Sequence, residues 1–241
     1  MAIAHQILNF LFPPRCAGCD ERLPIESRER VCVRCRDGIG LLEEPGCYRC
    51  GVPVLASISQ CPRCLESPPS FGKARAIASY EAHADGDNNI LASMIRRHKY
   101  GLDQTMGRAL AECLGERIPL ADEHYDLVVP VPLHPKRLRW RGFNQAALLA
   151  AEVARRLDCK LDTISLVRVV ATMPQTANDL EARRRNVRRA FAVRRAHRIA
   201  NRRVLLVDDV MTTGATANEC ARTLRAAGAR SVDVFTLARV L

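Results

Sequence analysis

Most of the chain alternates between two hydrophobic patterns, one with the period of a strand and one with the period of a helix. Within 89–100, for example, Ile90, Leu91, Met94 and Ile95 recur at the spacing of one helical face. The patterns predict strands at 74–80, 125–133, 165–170, 203–207 and 231–237, and helices at 89–100, 106–114, 144–157, 179–190 and 215–227. Because strands and helices alternate, we predict an α/β fold with a parallel sheet covered by helices on both faces.

The segment VLLVDDVMTTGAT, residues 204–216, carries polar residues where the predicted fold would place a ligand. Its apolar start predicts a central strand, with Asp208 and Asp209 at the carboxyl end, where parallel sheets bind ligands. The turn that follows, Thr212, Thr213, Gly214, Ala215 and Thr216, opens the next helix and offers backbone amides and hydroxyls to a phosphate.

Two carboxylates beside a phosphate would repel it, unless they accept hydrogen bonds from hydroxyls of the sugar that carries the phosphate. The alternative is that Asp208 and Asp209 only end a strand and the threonines only cap a helix. All of these features occur in order within thirteen residues, which favours a sugar-phosphate site.

The first 64 residues contain eight of the eleven cysteines, arranged as four Cys-x-x-Cys pairs. This pattern predicts two structural zinc sites, because zinc takes four ligands and each pair can present two thiolates to one ion. We predict sequential pairing, with interleaved pairing as the alternative, and we predict that Cys113, Cys159 and Cys220 are small core residues. The predicted ligands are Cys16, Cys19, Cys32 and Cys35 for one ion, and Cys47, Cys50, Cys61 and Cys64 for the other.

The composition changes at ESPPSFGK, so we predict a small zinc-ribbon domain at 1–68 and an α/β domain at 69–241. The formal net charge is +11, and two four-thiolate zinc sites would lower it to about +7. Ten arginines and no acidic residue lie in 183–203. This run favours a polyanionic partner such as single-stranded DNA, with a solvated helix face as the alternative.

The segment 204–216 resembles the 5-phosphoribosyl 1-pyrophosphate (PRPP) binding motif of type I phosphoribosyltransferases. The resemblance implies that Asp208 and Asp209 hold the ribose hydroxyls, that residues 212–216 hold the 5-phosphate, and that Mg²⁺ bridges the ribose and the pyrophosphate. It also implies transfer of the ribosyl group to a nitrogen nucleophile through a cationic transition state.

Three further features restrict the resemblance to a smaller group of proteins. They are HPKRLRWRGFNQ at 134–145, TMPQ followed by RRRN within 172–186, and the tandem Cys-x-x-Cys pairs. Together with 204–216 they resemble the ComF/GntX family, which is associated with bacterial competence. The resemblance covers nearly the whole chain. It implies a type I phosphoribosyltransferase-like sheet behind a double zinc ribbon, and a link to DNA uptake.

The loop after the strand at 125–133 is predicted to meet the pyrophosphate through Lys136, Arg137 and Arg141. Asn144 and Gln145 follow, and Asn144 fits the N-cap of the next helix. A solvated basic loop with an ordinary cap is the alternative, and His134 suits a polar loop role as well as a ligand role.

The segment 168–186 is predicted to be a loop that closes over the reacting centre, with a plain surface connection as the alternative. Its candidate residues are Gln175, Arg183, Arg184, Arg185 and Asn186.

The sequence leaves the acceptor open. Phosphoribosyltransferases bind the acceptor under a hood, and here the last predicted strand ends close to Leu241, so we expect the acceptor pocket to use residues 70–125 or the ribbons. Two functions stand: an active transferase, or a non-catalytic PRPP sensor or DNA-handling module. A zinc-ribbon nucleic-acid binder with an inert fold is a weaker third.

The apolar run ILNFLF near the start is too short to span a bilayer, and Pro13 and Pro14 follow it. We therefore expect a cytoplasmic protein without a membrane segment. The residues indicate no particular oligomeric state.

Overall fold

The structure, a computed structural model, describes residues 13–27, 29–42, 45–80, 89–100, 106, 107, 109–111, 123–171, 185 and 187–241. Its strands are β1 Ala74–Ser79, β2 Leu127–Pro130, β3 Lys160–Leu161, β4 Leu166–Arg168, β5 Phe191–Val193, β6 Arg203–Met211 and β7 Ser231–Arg239. Its helices are α1 Val33–Asp37, α2 Pro62–Glu66, α3 Ile90–Tyr100, α4 Pro135–Arg141, α5 Gln145–Arg156, α6 Ala196–Ile199 and α7 Ala215–Ala226.

The central sheet has five strands in the order β1-β7-β6-β2-β3, and every neighbouring pair is parallel. Helices cover both of its faces, as the sequence predicts. In β6, Leu205 and Val207 pack with α3 and α5, whereas Val204 and Leu206 pack with α7 and Ile199. Both faces of the central strand are therefore buried, which explains its unbroken apolar run.

Strand β6 is longer than its apolar run predicts. It pairs with β7 as far as Met211, opposite Arg239. Asp208 and Asp209 therefore lie inside the last part of the strand, and the prediction that it ends at residue 207 is wrong. The hydrogen bonds of the neighbouring strand keep these two residues extended despite their low strand propensity.

Two further regions differ from the predicted elements. Residues 135–141 form helix α4 instead of a loop, with His134 accepting a hydrogen bond from the Lys136 amide at 3.2 Å and Pro135 at the first helical position. The predicted strand at 165–170 is shorter and pairs antiparallel with β5, outside the parallel sheet. Strand β5 and helix α6 lie in a region to which the sequence assigned only its arginines.

Some predicted elements are only partly covered by the structure. Met106, Gly107 and residues 109–111 are helical, as predicted, whereas Cys113 lies outside the described residues. Of the helix predicted at 179–190, Arg185 and Val187 are helical, Arg188 and Arg189 form a turn, and 179–184 lies outside.

The cysteine-rich segment adds hydrogen bonds to strand β1. The Leu42 amide donates to the Ile77 carbonyl at 2.9 Å, and the Ala74 amide donates to the Arg49 carbonyl at 2.6 Å. Cys16 and Cys35 belong to the same apolar cluster as the α3 and α5 side chains. The first ribbon is therefore built into the main core, while the boundary near residue 68 stays a prediction. Among the described residues, no helix combines the length and the apolar character needed to cross a membrane.

Candidate sugar-phosphate site and cysteine clusters

Asp208 and Asp209 are consecutive residues of β6, and a lysine from another element contacts Asp209. Asp209 is only 8 % exposed, and its Oδ2 atom lies 3.1 Å from Nζ of Lys99 at the end of α3. Sequence reasoning missed Lys99. It lies in a basic helix end, RRHKY, and no spacing along the chain connects this helix with β6.

The pKa values of Asp208 and Lys99 differ from their ordinary values. Burial, and next the Asp209 charge, raise the pKa of Asp208 to about 7. Burial alone would lower the pKa of Lys99, but Asp209 and Asp208 together raise it above its ordinary value. Asp208 is therefore partly protonated at neutral pH and can both donate and accept hydrogen bonds.

The Thr-Thr-Gly-Ala-Thr turn follows β6 and opens helix α7, as predicted. Gly214 is the N-cap residue and adopts a left-handed φ of 75°, which glycine accepts without strain. The Thr213 hydroxyl accepts a hydrogen bond from the Ala215 amide at 3.3 Å. Because the N-cap residue Gly214 has no side chain to cap this twelve-residue helix, the amides that follow Ala215 in its first turn are available to an anion.

A small cavity of about 30 Å³ lies between this turn and the sheet. Asp208, Thr212, Gly214, Thr216 and Thr236 are among the residues that line it. The Thr236 hydroxyl is buried and has no hydrogen-bond partner among the described residues. Asp208 and the turn therefore meet in one polar recess, whereas Asp209 is not among the residues that line it.

The segment after β2 reaches the same end of the sheet. Asn144 caps α5 by accepting from the Ala146 amide at 3.2 Å, and it donates to the Val131 carbonyl at 3.1 Å. The buried Gln145 accepts from Arg141 at 3.2 Å. The predicted capping role of Asn144 is confirmed, and its second bond ties the start of α5 to the end of β2.

Positive charge in this region comes from α4 and from β4. Lys136 is exposed and Arg137 half-buried on α4. Burial lowers the pKa of Arg168 on β4, Arg137 lowers it further, and the Asp208 carboxylate opposes them. Arg168 thus lies within the electrostatic reach of both Arg137 and Asp208.

Of the candidate residues in the predicted closing loop, the structure describes Arg185. Arg185 is exposed. Gln175, Arg183, Arg184 and Asn186 lie outside the described residues, so their predicted role stays a prediction.

The cysteines form the two predicted groups. Cys16, Cys19, Cys32 and Cys35 cluster in one, Cys47, Cys50, Cys61 and Cys64 in the other, and within each group all Sγ atoms lie within 4.8 Å of one another. This arrangement confirms sequential pairing and excludes interleaved pairing. The Sγ atoms of Cys19 and Cys32 are 3.8 Å apart, and those of Cys50 and Cys61 are 3.7 Å apart. A tetrahedral ion with Zn–S bonds of about 2.3 Å would separate its thiolates by about 3.8 Å, so both groups fit zinc.

Backbone amides surround the ligand sulfurs. The Cys61 amide donates to Sγ of Cys47 at 3.3 Å, and the Cys32 amide donates to Sγ of Cys16 at 3.2 Å. Burial raises the pKa of Cys47, but the amide hydrogen bonds outweigh it and the pKa falls to about 6. These bonds stabilise thiolates, the form that binds zinc. Of the other cysteines, Cys220 is fully buried and Cys159 packs against the core, as predicted.

The parallel sheet has this strand order, and its strand β6 carries two aspartates and is followed by a turn suited to phosphate. Two four-cysteine sites precede the sheet in the chain. These features define a protein with a phosphoribosyltransferase fold and a double zinc ribbon. Two family models match the chain accordingly. Residues 7–65 match the double zinc ribbon domain, and residues 144–241 match the phosphoribosyl transferase domain.

Relatives that align with most of the chain identify its family within this class. Competence protein F of Haemophilus influenzae is 33% identical over 239 residues, which cover 97% of this chain and 100% of that protein. DNA utilization protein YhgH of Escherichia coli strain K12 is 33% identical over 200 residues, 81% of this chain and 84% of that protein. The chain belongs to the ComF/GntX family. Among solved structures, adenine phosphoribosyltransferase from Thermoanaerobacter pseudethanolicus is 15% identical, with 68% of this chain and 94% of that chain covered and a TM-score of 0.37.

Proposed function

We propose that the chain binds PRPP with Mg²⁺ at the end of β6 and transfers the phosphoribosyl group to a nitrogen acceptor, with release of pyrophosphate, in the service of DNA uptake. One observation carries the proposal. Asp208 and the Thr-Thr-Gly-Ala-Thr turn, whose N-cap residue Gly214 has no side chain, line one recess at the carboxyl end of a parallel sheet. The names of the relatives, competence protein F and DNA utilization protein, support the cellular role.

In this proposal, different residues hold different parts of PRPP. The amides of residues 212–216 and the Thr216 hydroxyl hold the 5-phosphate, and Asp208 and Asp209 accept hydrogen bonds from the ribose hydroxyls. Lys136, Arg137 and Arg141 neutralise the pyrophosphate. Lys99 holds Asp209 in place before PRPP arrives, since the ion pair fixes one carboxylate oxygen.

In the transfer, the bond between ribose C1 and the pyrophosphate oxygen breaks and a bond from C1 to the acceptor nitrogen forms. The electron pair of the broken bond leaves with pyrophosphate, and the proton of the acceptor nitrogen passes to water. Positive charge develops on the ribosyl ring, and fixed carboxylates beside the ring stabilise that charge. The Asp208 and Asp209 oxygens are ligands that Mg²⁺ prefers, and a bound Mg²⁺ would neutralise charge on the leaving pyrophosphate.

The test combines binding and turnover on one zinc-replete sample. Isothermal titration calorimetry with PRPP and Mg²⁺ measures affinity, and a pyrophosphate-release assay over a panel of nitrogen acceptors measures transfer. We expect the double variant Asp208→Asn/Asp209→Asn to lose PRPP binding while keeping a cooperative thermal transition. The control is Asp37→Asn, an exposed aspartate at the end of α1. Unchanged PRPP affinity in the double variant would show that the site lies elsewhere.

A second candidate function is handling of single-stranded DNA, with PRPP as a sensed ligand. The observation in its favour is the exposure of the described arginines that precede β6, namely Arg185, Arg188, Arg189, Arg194, Arg195, Arg198 and Arg202. Binding of a fluorescent single-stranded oligonucleotide at several salt concentrations tests it, because phosphate contacts give a steep salt dependence. PRPP binding without pyrophosphate release, combined with a steep salt slope, would favour this function over transfer.

A further inference from the structure

A larger cleft lies beside the proposed PRPP site, between the second ribbon and the sheet. Its volume is about 420 Å³, within the range of small-molecule sites. One wall comes from the ribbon, through Arg63 and Cys64, and another comes from the turn before α7, through Thr213 and Gly214. Neither Asp208 nor Asp209 lines it. The cleft therefore adjoins the recess lined by Asp208, and the two spaces share Met211, Gly214 and Ala215.

Among the described residues that line the cleft, five are arginines and one is a carboxylate. The arginines are Arg63, Arg188, Arg189, Arg222 and Arg239. The carboxylate, Glu219, accepts two hydrogen bonds from Arg222, at 2.9 and 2.6 Å, and one from the Arg189 amide at 2.7 Å. Glu219 thus neutralises one arginine only. Even with the charge of about −2 that a four-thiolate zinc site carries, the cleft stays positive.

Arg239 is the most deeply placed of these cations. It is 5 % exposed, and one Nη atom donates to the Cys50 carbonyl. Its Nε–H is buried without a hydrogen-bond partner among the described residues. A buried donor on a charged group is costly unless it is paired. An anion in the cleft would supply the acceptor that this guanidinium lacks.

The lining also has an apolar part. Pro68 is exposed and Pro69 is half-buried, so these two residues supply most of the apolar surface, whereas Phe71, Val187 and Met211 are almost fully buried. A simple inorganic anion would leave this surface without a partner. A ligand with a charged end and a flat apolar body matches both parts of the cleft.

We propose that this cleft binds a phosphate-bearing small molecule with an aromatic ring, of the nucleoside monophosphate class, held by arginines of the second ribbon and of the sheet domain. The ribbon then has a role besides its own fold, because it supplies one wall and Arg63. Arg63 also donates to the Thr213 carbonyl, so the ligand sits against the turn proposed to hold the 5-phosphate of PRPP. The proposal does not depend on PRPP binding, since the two sites use different charged residues.

The experiment uses full-length, zinc-replete protein and calorimetric titration with AMP, GMP, CMP and UMP. Inorganic phosphate, ribose 5-phosphate and adenosine separate the contributions of phosphate, sugar and ring. We expect at least one nucleotide to bind with a Kd below 1 mM, about −4 kcal/mol, and each fragment alone to bind at least tenfold more weakly. Arg63→Gln/Arg188→Gln, which removes two exposed cations of the cleft, should weaken the nucleotide at least tenfold. Arg22→Gln/Arg96→Gln, with the same charge change on exposed residues outside the cleft, should leave it unchanged.

The acid-pair variant Asp208→Asn/Asp209→Asn separates this proposal from the proposed function. Nucleotide binding that survives in this variant supports a separate cleft, whatever the variant does to PRPP. Nucleotide binding lost together with the acids would place the nucleotide in the PRPP recess and overturn the proposal. Two other results would also overturn it: no nucleotide binding up to 10 mM, and equal weakening in the Arg63/Arg188 and Arg22/Arg96 variants.

Discussion

Nζ of Lys99 lies 3.1 Å from Oδ2 of Asp209, although the two residues belong to different elements and 110 positions separate them. The ion pair joins the end of α3 to the carboxyl end of β6. Both side chains are mostly buried, 23 % and 12 % exposed, so water screens the pair less than it would at the surface. Asp209, one of the two proposed ribose-binding acids, is therefore paired with a positive charge before any ligand binds.

Replacing Lys99 by methionine should lower the free energy of unfolding by about 1–3 kcal/mol at pH 7, because it leaves a buried carboxylate without its cation. The raised pKa of Lys99 means that the pair's contribution is fully present below the unfolded lysine pKa and disappears only above about pH 10.5. Urea unfolding measures the loss. Arg96→Met, at an exposed cation of the same helix, is the control and should change stability by less than about 0.5 kcal/mol.

Asp208→Asn should stabilise the folded chain at pH 8. The folded pKa of Asp208, about 7, lies above its ordinary value of 3.8. Between those values the folded state binds more protons than the unfolded state, so Asp208 costs stability as the pH rises. We expect the variant's melting temperature to exceed the wild type's by a few degrees at pH 8, and the difference to vanish near pH 4. A variant that is less stable at both pH values would contradict the raised pKa.

Metal analysis of the purified chain should return two zinc ions. Cys47→Ser should reduce the count to one, because it removes a ligand of the second group only. The control Cys159→Ser should keep both ions, since Cys159 belongs to neither group and its thiol donates to the Tyr125 carbonyl at 3.1 Å, as a serine hydroxyl can. One zinc in the wild type, or iron in place of zinc, would refute the assignment.

Gly51→Ala should cost clearly more stability than Gly142→Ala. Both glycines have a left-handed φ, +70° and +76°, so alanine meets similar backbone strain at each, about 1 kcal/mol. A Cβ at Gly51 would lie 2.6 Å from the Ala74 carbonyl oxygen, whereas at Gly142 it meets nothing within 4 Å. The difference in unfolding free energy therefore measures how closely the second ribbon packs on β1. Equal losses would show that the ribbon moves away without cost.

The periodicity of the sequence predicted the sheet and its covering helices, because burial on both faces of β6 imposes an apolar run that is visible in one dimension. The two cysteine groups were equally visible, since zinc geometry restricts the spacing of each pair. Lys99 was not. Its place beside Asp209 depends on how α3 packs against the sheet, and a lysine at the end of a helix has the same local pattern whether it faces solvent or an acid.

Helix α4 and the end of β6 were missed for a different reason. Local propensity favours a loop at His134 and Pro135, but the same two residues also form a good helix start, as a cap and a first-turn proline. The extended conformation of Asp208 comes from its pairing with Thr236 on β7, a partner that the sequence of β6 alone does not identify. The cleft lined by Arg63 and Arg239 is likewise a product of packing between distant segments.

Strand β1 is hydrogen-bonded on one side to the ribbon segment and on the other to β7, where Ala74 pairs with Val234. During synthesis the ribbons leave the ribosome well before β7. The ribbons can therefore acquire zinc early, but the sheet on which they rest closes only when β7 has been released, because contacts this distant in sequence form late. A chain truncated before β7 would expose zinc-bound ribbons beside an incomplete sheet. The pairing of β7 is therefore the step that completes the fold.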